Sequence, residues 1–140
     1  MREMLDRKLA QFEELEQSMS DPKVLRSVLF VPATNEKLLE SAVRRNADAV
    51  QLDLEDAILG SEKEAARKAA NGAIGWLVGQ SPYVVVRINA PIRMAVRDLE
   101  AVVIPGLHAI TVPKVPHASF LMLLDETIGE LEAERGLEVG

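Results

Sequence analysis

The stretch ADAVQLDLEDAILGSEKEAARKA, residues 47–69, holds the unit on which the whole chain is built. Residues 49–54 read as a strand. The tetrad Ser61-Glu62-Lys63-Glu64 then has the form of a capping box, with Ser61 as cap and Glu64 three residues on. It is expected to open an alanine-rich helix whose inner face takes Ala65, Ala69, Ala73, Leu77 and Trp76. Gly72, Gly75 and Gly79 weaken the second half of that helix, each by roughly 1 kcal/mol relative to alanine.

The same strand-then-helix unit recurs on both sides. Upstream, Val28-Leu29-Phe30-Val31 is a short apolar run closed by Pro32, as expected of a strand buried on both faces. Thr34 is placed to cap a helix reaching about residue 46, with Leu38, Leu39, Ala42 and Val43 inward and Arg44 and Arg45 at its negative end. Downstream, a third strand is expected over residues 84–88, a short helix over 95–103 and a fourth strand over 109–112. A last helix over 119–135 carries Leu121, Leu124, Ile128 and Leu131 at helical spacing. Residues 1–19 form an amphipathic pattern with Leu5, Leu9, Phe12, Leu15 and Met19 on one stripe, ended by Ser20-Asp21-Pro22. The expected organisation is therefore an amphipathic helix over residues 1–22, then four βα units over residues 23–140. Strands alternating with helices imply an α/β fold with a parallel sheet and right-handed crossovers. An open doubly wound sheet and a partial barrel both satisfy that pattern.

Composition narrows the function. A net charge of −6 gives no general attraction for nucleic-acid phosphates or anionic membranes, so neither is expected as a partner. There are no cysteines, which excludes disulfides and thiolate metal sites and is compatible with a reducing compartment. The acidic N-terminal segment lacks an apolar signal core, and a cytoplasmic location is expected. No GxGxxG follows the first strand and no Walker-type loop occurs, which argues against nucleotide binding.

In parallel α/β folds the reactive groups gather beyond the carboxyl ends of the strands. Here those ends carry Asp53, Glu55 and Asp56, then Arg87 and Asn89, then Lys114. Three carboxylates within four residues repel one another unless a cation intervenes, and such a cluster suits a hard cation such as Mg²⁺, directly or through water. An acidic turn favoured by the next helix dipole gives the same pattern. Arg87 ends an apolar strand, where its planar fork suits a substrate carboxylate, a thioester oxygen gaining charge, or a salt bridge to the acids. Lys114 is either electrostatic support, an amine nucleophile if desolvated, or a solvated lysine. His108 and His117 are lone loop histidines, expected at the surface or in packing.

Four stretches, RSVLFVPATNEKLLESA (26–42), ADAVQLDLEDAILGSEKEAARKA (47–69), VVVRINA (84–90) and GLHAITVPKV (106–115), together resemble one family in order and spacing, and LDETIGELEAERGL (124–137) fits as well. That family is the citrate lyase β-subunit and malyl-CoA lyase group, the HpcH/HpaI aldolase–citrate lyase enzymes. The resemblance covers residues 26–138, and LDLEDA followed by VRIN is its most specific part. It implies a partial (β/α)8 barrel and Mg²⁺-dependent cleavage of the carbon–carbon bond of a 3-hydroxyacyl thioester on CoA or an acyl carrier. The products would be an acetyl thioester and a 2-oxo acid.

Through the resemblance Arg87 corresponds to an arginine that polarises substrate oxygens, and Glu55 and Asp56 to catalytic acids beside the metal. Arg26, Asp53, Asn89 and Lys114 are expected to contact substrate, with Arg26 holding the thioester. The sequence departs from the pattern at Pro91-Ile92-Arg93-Met94, where a Ser/Thr-Pro-Trp-like segment is common, at Pro116 in place of Glu, and at Ala33 in place of Gly. The family's direct metal ligands lie on its fifth and sixth strands, which are not among these four units. The expectation is accordingly split between a lyase-family domain and a non-catalytic thioester-binding or subunit-interaction module. Open sheet edges point to a homo-oligomer. Residues 4–25 also resemble the opening helix of bacterial class I peptide chain release factors, but their Gly-Gly-Gln tripeptide is absent from this sequence.

Overall fold

The computed structural model describes residues 24–81 and 83–140. The expected N-terminal helix over residues 1–22 therefore lies outside the described residues. Four strands alternate with four helices: β1 (Val28–Pro32), α1 (Glu36–Arg44), β2 (Ala49–Asp53), α2 (Lys63–Leu77), β3 (Val84–Arg87), α3 (Ile92–Val102), β4 (Ala109–Thr111) and α4 (Ala118–Glu134). All pairings are parallel, in the order β1-β2-β3-β4.

That order decides between the two architectures left open above. A doubly wound sheet reverses its strand order and so places helices on both faces. Here every right-handed crossover steps the same way, which puts every helix on one face, as in a barrel wall. The packing agrees. Val31, Val50, Leu52, Val84 and Val86 join residues of all four helices in one apolar core, while the buried Ala49 and Val85, pointing to the other face, stand outside it. Along the ring, α2 packs on α3 and α3 on α4. The fold is a partial (β/α)8 barrel.

Helix boundaries and faces differ from expectation in instructive ways. Asn35, not Thr34, caps α1, its side chain accepting from the Leu38 amide at 3.0 Å. Leu39 is buried whereas Leu38 is 48% exposed. The capping box at Ser61 does not form. Gly60–Glu62 makes a 3-10 turn, α2 starts at Lys63 without a side-chain cap, and Glu64 reaches forward to Arg67 at 3.1 Å instead of back. The inner stripe of α2 is Ala66, Ala70, Ala73, Ile74 and Leu77, while Ala65 and Trp76 are exposed. Helix α3 begins three residues earlier than expected because Pro91, with φ −62°, presents its carbonyl to the Met94 and Ala95 amides. In α4, Leu124 and Leu131 are buried and Leu121 is exposed. Among the described residues no helix is long and apolar enough to cross a membrane.

Candidate active site

Strand register builds the site. Asp53 is paired with Arg87, and Arg87 with Thr111, so the three side chains lie in one row across the inner face at the carboxyl ends of β2, β3 and β4. One layer below, Gln51 accepts from the Thr111 hydroxyl at 2.9 Å, and the Arg87 guanidinium lies 5.7 Å from the Phe30 ring centroid. The Nε2 of Gln51 is buried with no hydrogen-bond partner among the described residues.

Arg87 grips Asp53 with two parallel bonds, Nε to Oδ1 at 2.9 Å and Nη2 to Oδ2 at 2.7 Å. Asp53 is 3% exposed and accepts two further bonds, from the Glu55 amide at 2.9 Å and the Ala57 amide at 3.1 Å. These fold the chain after β2 into a turn that carries Glu55 and Asp56 back over Arg87. Its remaining arm, Nη1, stands 3.3 Å from Glu55 Oε2 and 3.5 Å from Asp56 Oδ2. From the end of β4, where its φ is +52°, Lys114 places Nζ 2.6 Å from Glu55 Oε1 and 3.5 Å from Asp56 Oδ1. Glu55 is 8% exposed, and its Oε2, near Arg87 but not aligned for a hydrogen bond, is a buried oxygen with an open lone pair.

Five of the residues singled out in the sequence thus meet: Asp53, Glu55, Asp56, Arg87 and Lys114. Two do not join them. Asn89 is buried and turned toward the helices, donating to Asp98 Oδ2 at 2.7 Å and to the Leu54 carbonyl at 3.0 Å. Arg26 lies before β1, at the amino end of the sheet, bound to Asp48 at 3.0 Å and 81% exposed. The histidines take structural contacts: His108 stacks on Tyr83 and accepts from the Val84 amide at 3.1 Å, and His117 contacts Ser119 at the start of α4.

Lys63 was not anticipated. Its Nζ donates to the Leu54 carbonyl at 2.7 Å and the Glu55 carbonyl at 2.5 Å, pinning the acidic turn from below. Burial lowers its pKa against the opposing pull of Asp98, Asp53 and Glu55. The buried pair Arg67–Asp98, at 2.7 Å, was also missed, although a charged residue between Ala95, Leu99 and Val102 on an apolar stripe is a legible signal.

Burial alone would raise the Asp53 carboxyl, but the bonds from Arg87, Glu55 and Ala57 and the charge of Arg87 outweigh it and hold it below its ordinary value. A depressed carboxylate stabilises the fold above its unfolded pKa of about 3.9, and that contribution disappears as pH falls through the lower folded value. Urea midpoints measured from pH 6 down to pH 2 should therefore fall most steeply below about pH 4. In Asp53→Asn this slope should be reduced but not abolished, because Asp48, held below its ordinary value by the bonds from Arg26 and Ser27, still contributes.

Arg87 and Lys114 occupy the positions where a cation would meet these acids, and among the described residues no group of three His, Cys, Asp or Glu side chains is arranged to hold a metal ion. Direct coordination of Mg²⁺ by this set does not fit. A contact through water fits at the exposed Asp56, with the buried Glu55 Oε2 left unpaired behind it.

Residues 26–140 match the HpcH/HpaI aldolase/citrate lyase family. The citrate lyase subunit beta of Leuconostoc mesenteroides subsp. cremoris is 33% identical over 123 residues, covering 87% of this chain and 41% of that protein. A citrate lyase subunit beta-like protein of Deinococcus radiodurans is 36% identical over 127 residues, covering 85% and 45%. The (3S)-malyl-CoA thioesterase of Cereibacter sphaeroides is 34% identical over 107 residues, covering 76% and 38%. The chain thus spans about two-fifths of the length of these relatives. Among solved structures, a lead(II) complex of Haloferax volcanii malate synthase superposes with a TM-score of 0.70 at 18% identity, over 85% of this chain and 39% of that one. That likeness concerns the fold alone.

Proposed function

This chain belongs to the HpcH/HpaI aldolase/citrate lyase family, and from that premise we propose that it is a carbon–carbon lyase-family domain for 3-hydroxyacyl thioesters of CoA or an acyl carrier. The bond to be broken joins the carbon bearing the hydroxyl to the α-carbon of the thioester, yielding an acetyl thioester and a 2-oxo acid, or the reverse. The observation that carries the reading is the state of Arg87. Two of its three nitrogens are consumed by Asp53, which fixes the plane of the guanidinium, and the third, Nη1, faces the site with only long contacts to Glu55 and Asp56. A rigid fork with one free arm is suited to an oxygen that gains charge, because its orientation needs no reorganisation during the reaction.

The other residues follow from their settings. Lys114 is 67% exposed, so it serves incoming substrate as a positive charge at the rim. Its pKa is raised by the bond it donates to Glu55, which keeps it protonated and unsuited to attack as an amine. Glu55, buried between Lys114 and Arg87, leaves Oε2 unpaired beside the Arg87 arm that would meet a substrate oxygen. Asp56, backed by Glu55, would hold Mg²⁺ through water, and the ion would supply Lewis-acid charge to the oxo-acid oxygens.

The ion pairs that Glu55 and Asp56 make with Arg87 and Lys114 favour a second reading, a thioester-binding or subunit-interaction module without metal chemistry. Calorimetric titration of Mg²⁺ into the purified chain, with and without oxaloacetate or glyoxylate, separates the two. The lyase reading expects binding that tightens with the oxo acid and is lost in Glu55→Gln. Absence of heat in both titrations would leave only the second reading. A homo-oligomer belongs to the same proposal, since Val28 and Phe30 on β1 are 40% and 56% exposed. Light scattering at micromolar concentration that returned a clean monomer would count against it.

A further inference from the structure

The acidic turn after β2 is held in place from behind by groups that take no part in the site. Asp98, in the middle of α3, is 0% exposed. Its Oδ1 accepts from Arg67 Nε of α2 at 2.7 Å, and its Oδ2 accepts from both the backbone N–H and the Nδ2 of Asn89, each at 2.7 Å. Asn89 Nδ2 has two hydrogens, and the second goes to the Leu54 carbonyl at 3.0 Å. That carbonyl belongs to the residue immediately before Glu55, and Lys63 Nζ meets it from another side at 2.7 Å.

We propose that Asp98 is a positioning residue for Glu55, acting through Asn89, which ties the loop after β3 to the turn after β2. The proposal rests on the reading that Glu55 works beside Arg87. Packing alone does not explain the arrangement, since an apolar side chain would fill the same space in α3 without the cost of burying a charge. What the carboxylate adds is direction. It orients the Asn89 amide so that one N–H can reach Leu54, and it links the turn that carries Glu55 to the loop that follows Arg87. Those loops come from separate βα units and must keep their relative height for Nη1 of Arg87 to stand 3.3 Å from Glu55 Oε2. Asn89 thereby gains a role in the site without touching substrate.

Hydrogen exchange on the full chain tests this without any ligand. The amides of Glu55 and Ala57, which donate to Asp53, report the turn, while those of Leu39 and Arg45 report the two ends of α1. Asn89→Ser removes the reach to Leu54, and Asp98→Asn removes the charge that orients it. Each should accelerate exchange at Glu55 and Ala57 by about tenfold relative to Leu39 and Arg45, and shift the Arg87 Nε–Hε resonance. Because the effect at the turn passes through Asn89, Asp98→Asn should add nothing further at Glu55 and Ala57, relative to Leu39 and Arg45, in the Asn89→Ser background, whatever it costs the whole fold through Arg67. Should Asp98→Asn fail to fold, Asp98→Glu, which keeps the charge and displaces it, takes its place. Equal acceleration at all four amides, no acceleration at the turn, or additive effects in the double variant would each overturn the proposal. An absence of oxo-acid binding would sink the lyase reading and leave this result untouched.

Discussion

Replacing Arg87 by Met is expected to lower the stability of this chain by about 3 kcal/mol at pH 7 and to abolish its response to a 2-oxo acid. The size follows from what is left behind. Asp53 is 3% exposed and would keep its two amide donors but lose its only cation, while Glu55 and Asp56 would face it across the gap with Lys114 alone between them. Removing one member of a buried ion pair typically costs about 3–5 kcal/mol, and the lower end applies because the Arg87 side chain is 21% exposed. With a urea slope of about 2 kcal/mol/M, the midpoint should drop by roughly 1–2 M. The difference from wild type should shrink on acidification, because protonated Asp53 no longer needs the guanidinium and the wild-type advantage is lost as pH falls through its depressed pKa. Arg87→Lys should recover part of the stability and little of the oxo-acid response, since an ammonium cannot hold Asp53 with two bonds and offer a third arm in a fixed plane. A midpoint loss that stayed constant from pH 7 to pH 3 would mean that the Asp53 pairing is not what stabilises the wild type.

How much of this was legible in the sequence depends on whether a signal is local. The four strands and four helices were, because runs such as Val84-Val85-Val86 and the amphipathic α1 and α3 carry their own pattern. The choice between barrel wall and open sheet was legible only through the family resemblance, which implied the barrel, and not in periodicity, because strand order is a relation between segments far apart in the chain. Helix faces failed where neighbouring residues are chemically alike. With alanine at 65, 66, 69, 70 and 73, composition cannot say which stripe turns inward, and adjacent leucines at 38 and 39 pose the same problem. Chain direction supplied information left unused for Arg26. A residue preceding a strand sits at the amino end of a parallel sheet, which separates Arg26 from the carboxyl-end acids. Asn89 misled for another reason. Two residues beyond Arg87 it would share the inner face if the strand continued, but β3 ends at Arg87 and the alternation ends with it. Asp53, Glu55 and Arg87 could be placed together because parallel register brings the ends of adjacent strands side by side.

The second large effect lies in the buried pair behind the site. Asp98→Ala should cost about 3–5 kcal/mol, because it strands Arg67, whose side chain is 8% exposed, with only the solvent-exposed Glu64 as partner. It also orphans the backbone and side-chain donors of Asn89, each worth about 1–3 kcal/mol when left unpaired. These two losses are separable. In Arg67→Met combined with Asp98→Asn, no charge is stranded and the new amide oxygen can still accept from the Asn89 backbone, so the double variant should lie within about 1–2 kcal/mol of wild type. In Arg67→Met combined with Asp98→Leu, the charge is likewise gone but the Asn89 donors stay orphaned, and the deficit should be larger by about 1–3 kcal/mol. Equal stability of the two double variants would mean that Asp98 serves Arg67 alone and that Asn89 finds other partners. A gap of the expected size would locate the value of the buried carboxylate in what it accepts from the loop after β3, and hence in the height at which that loop holds the turn of Glu55 and Asp56 against Arg87.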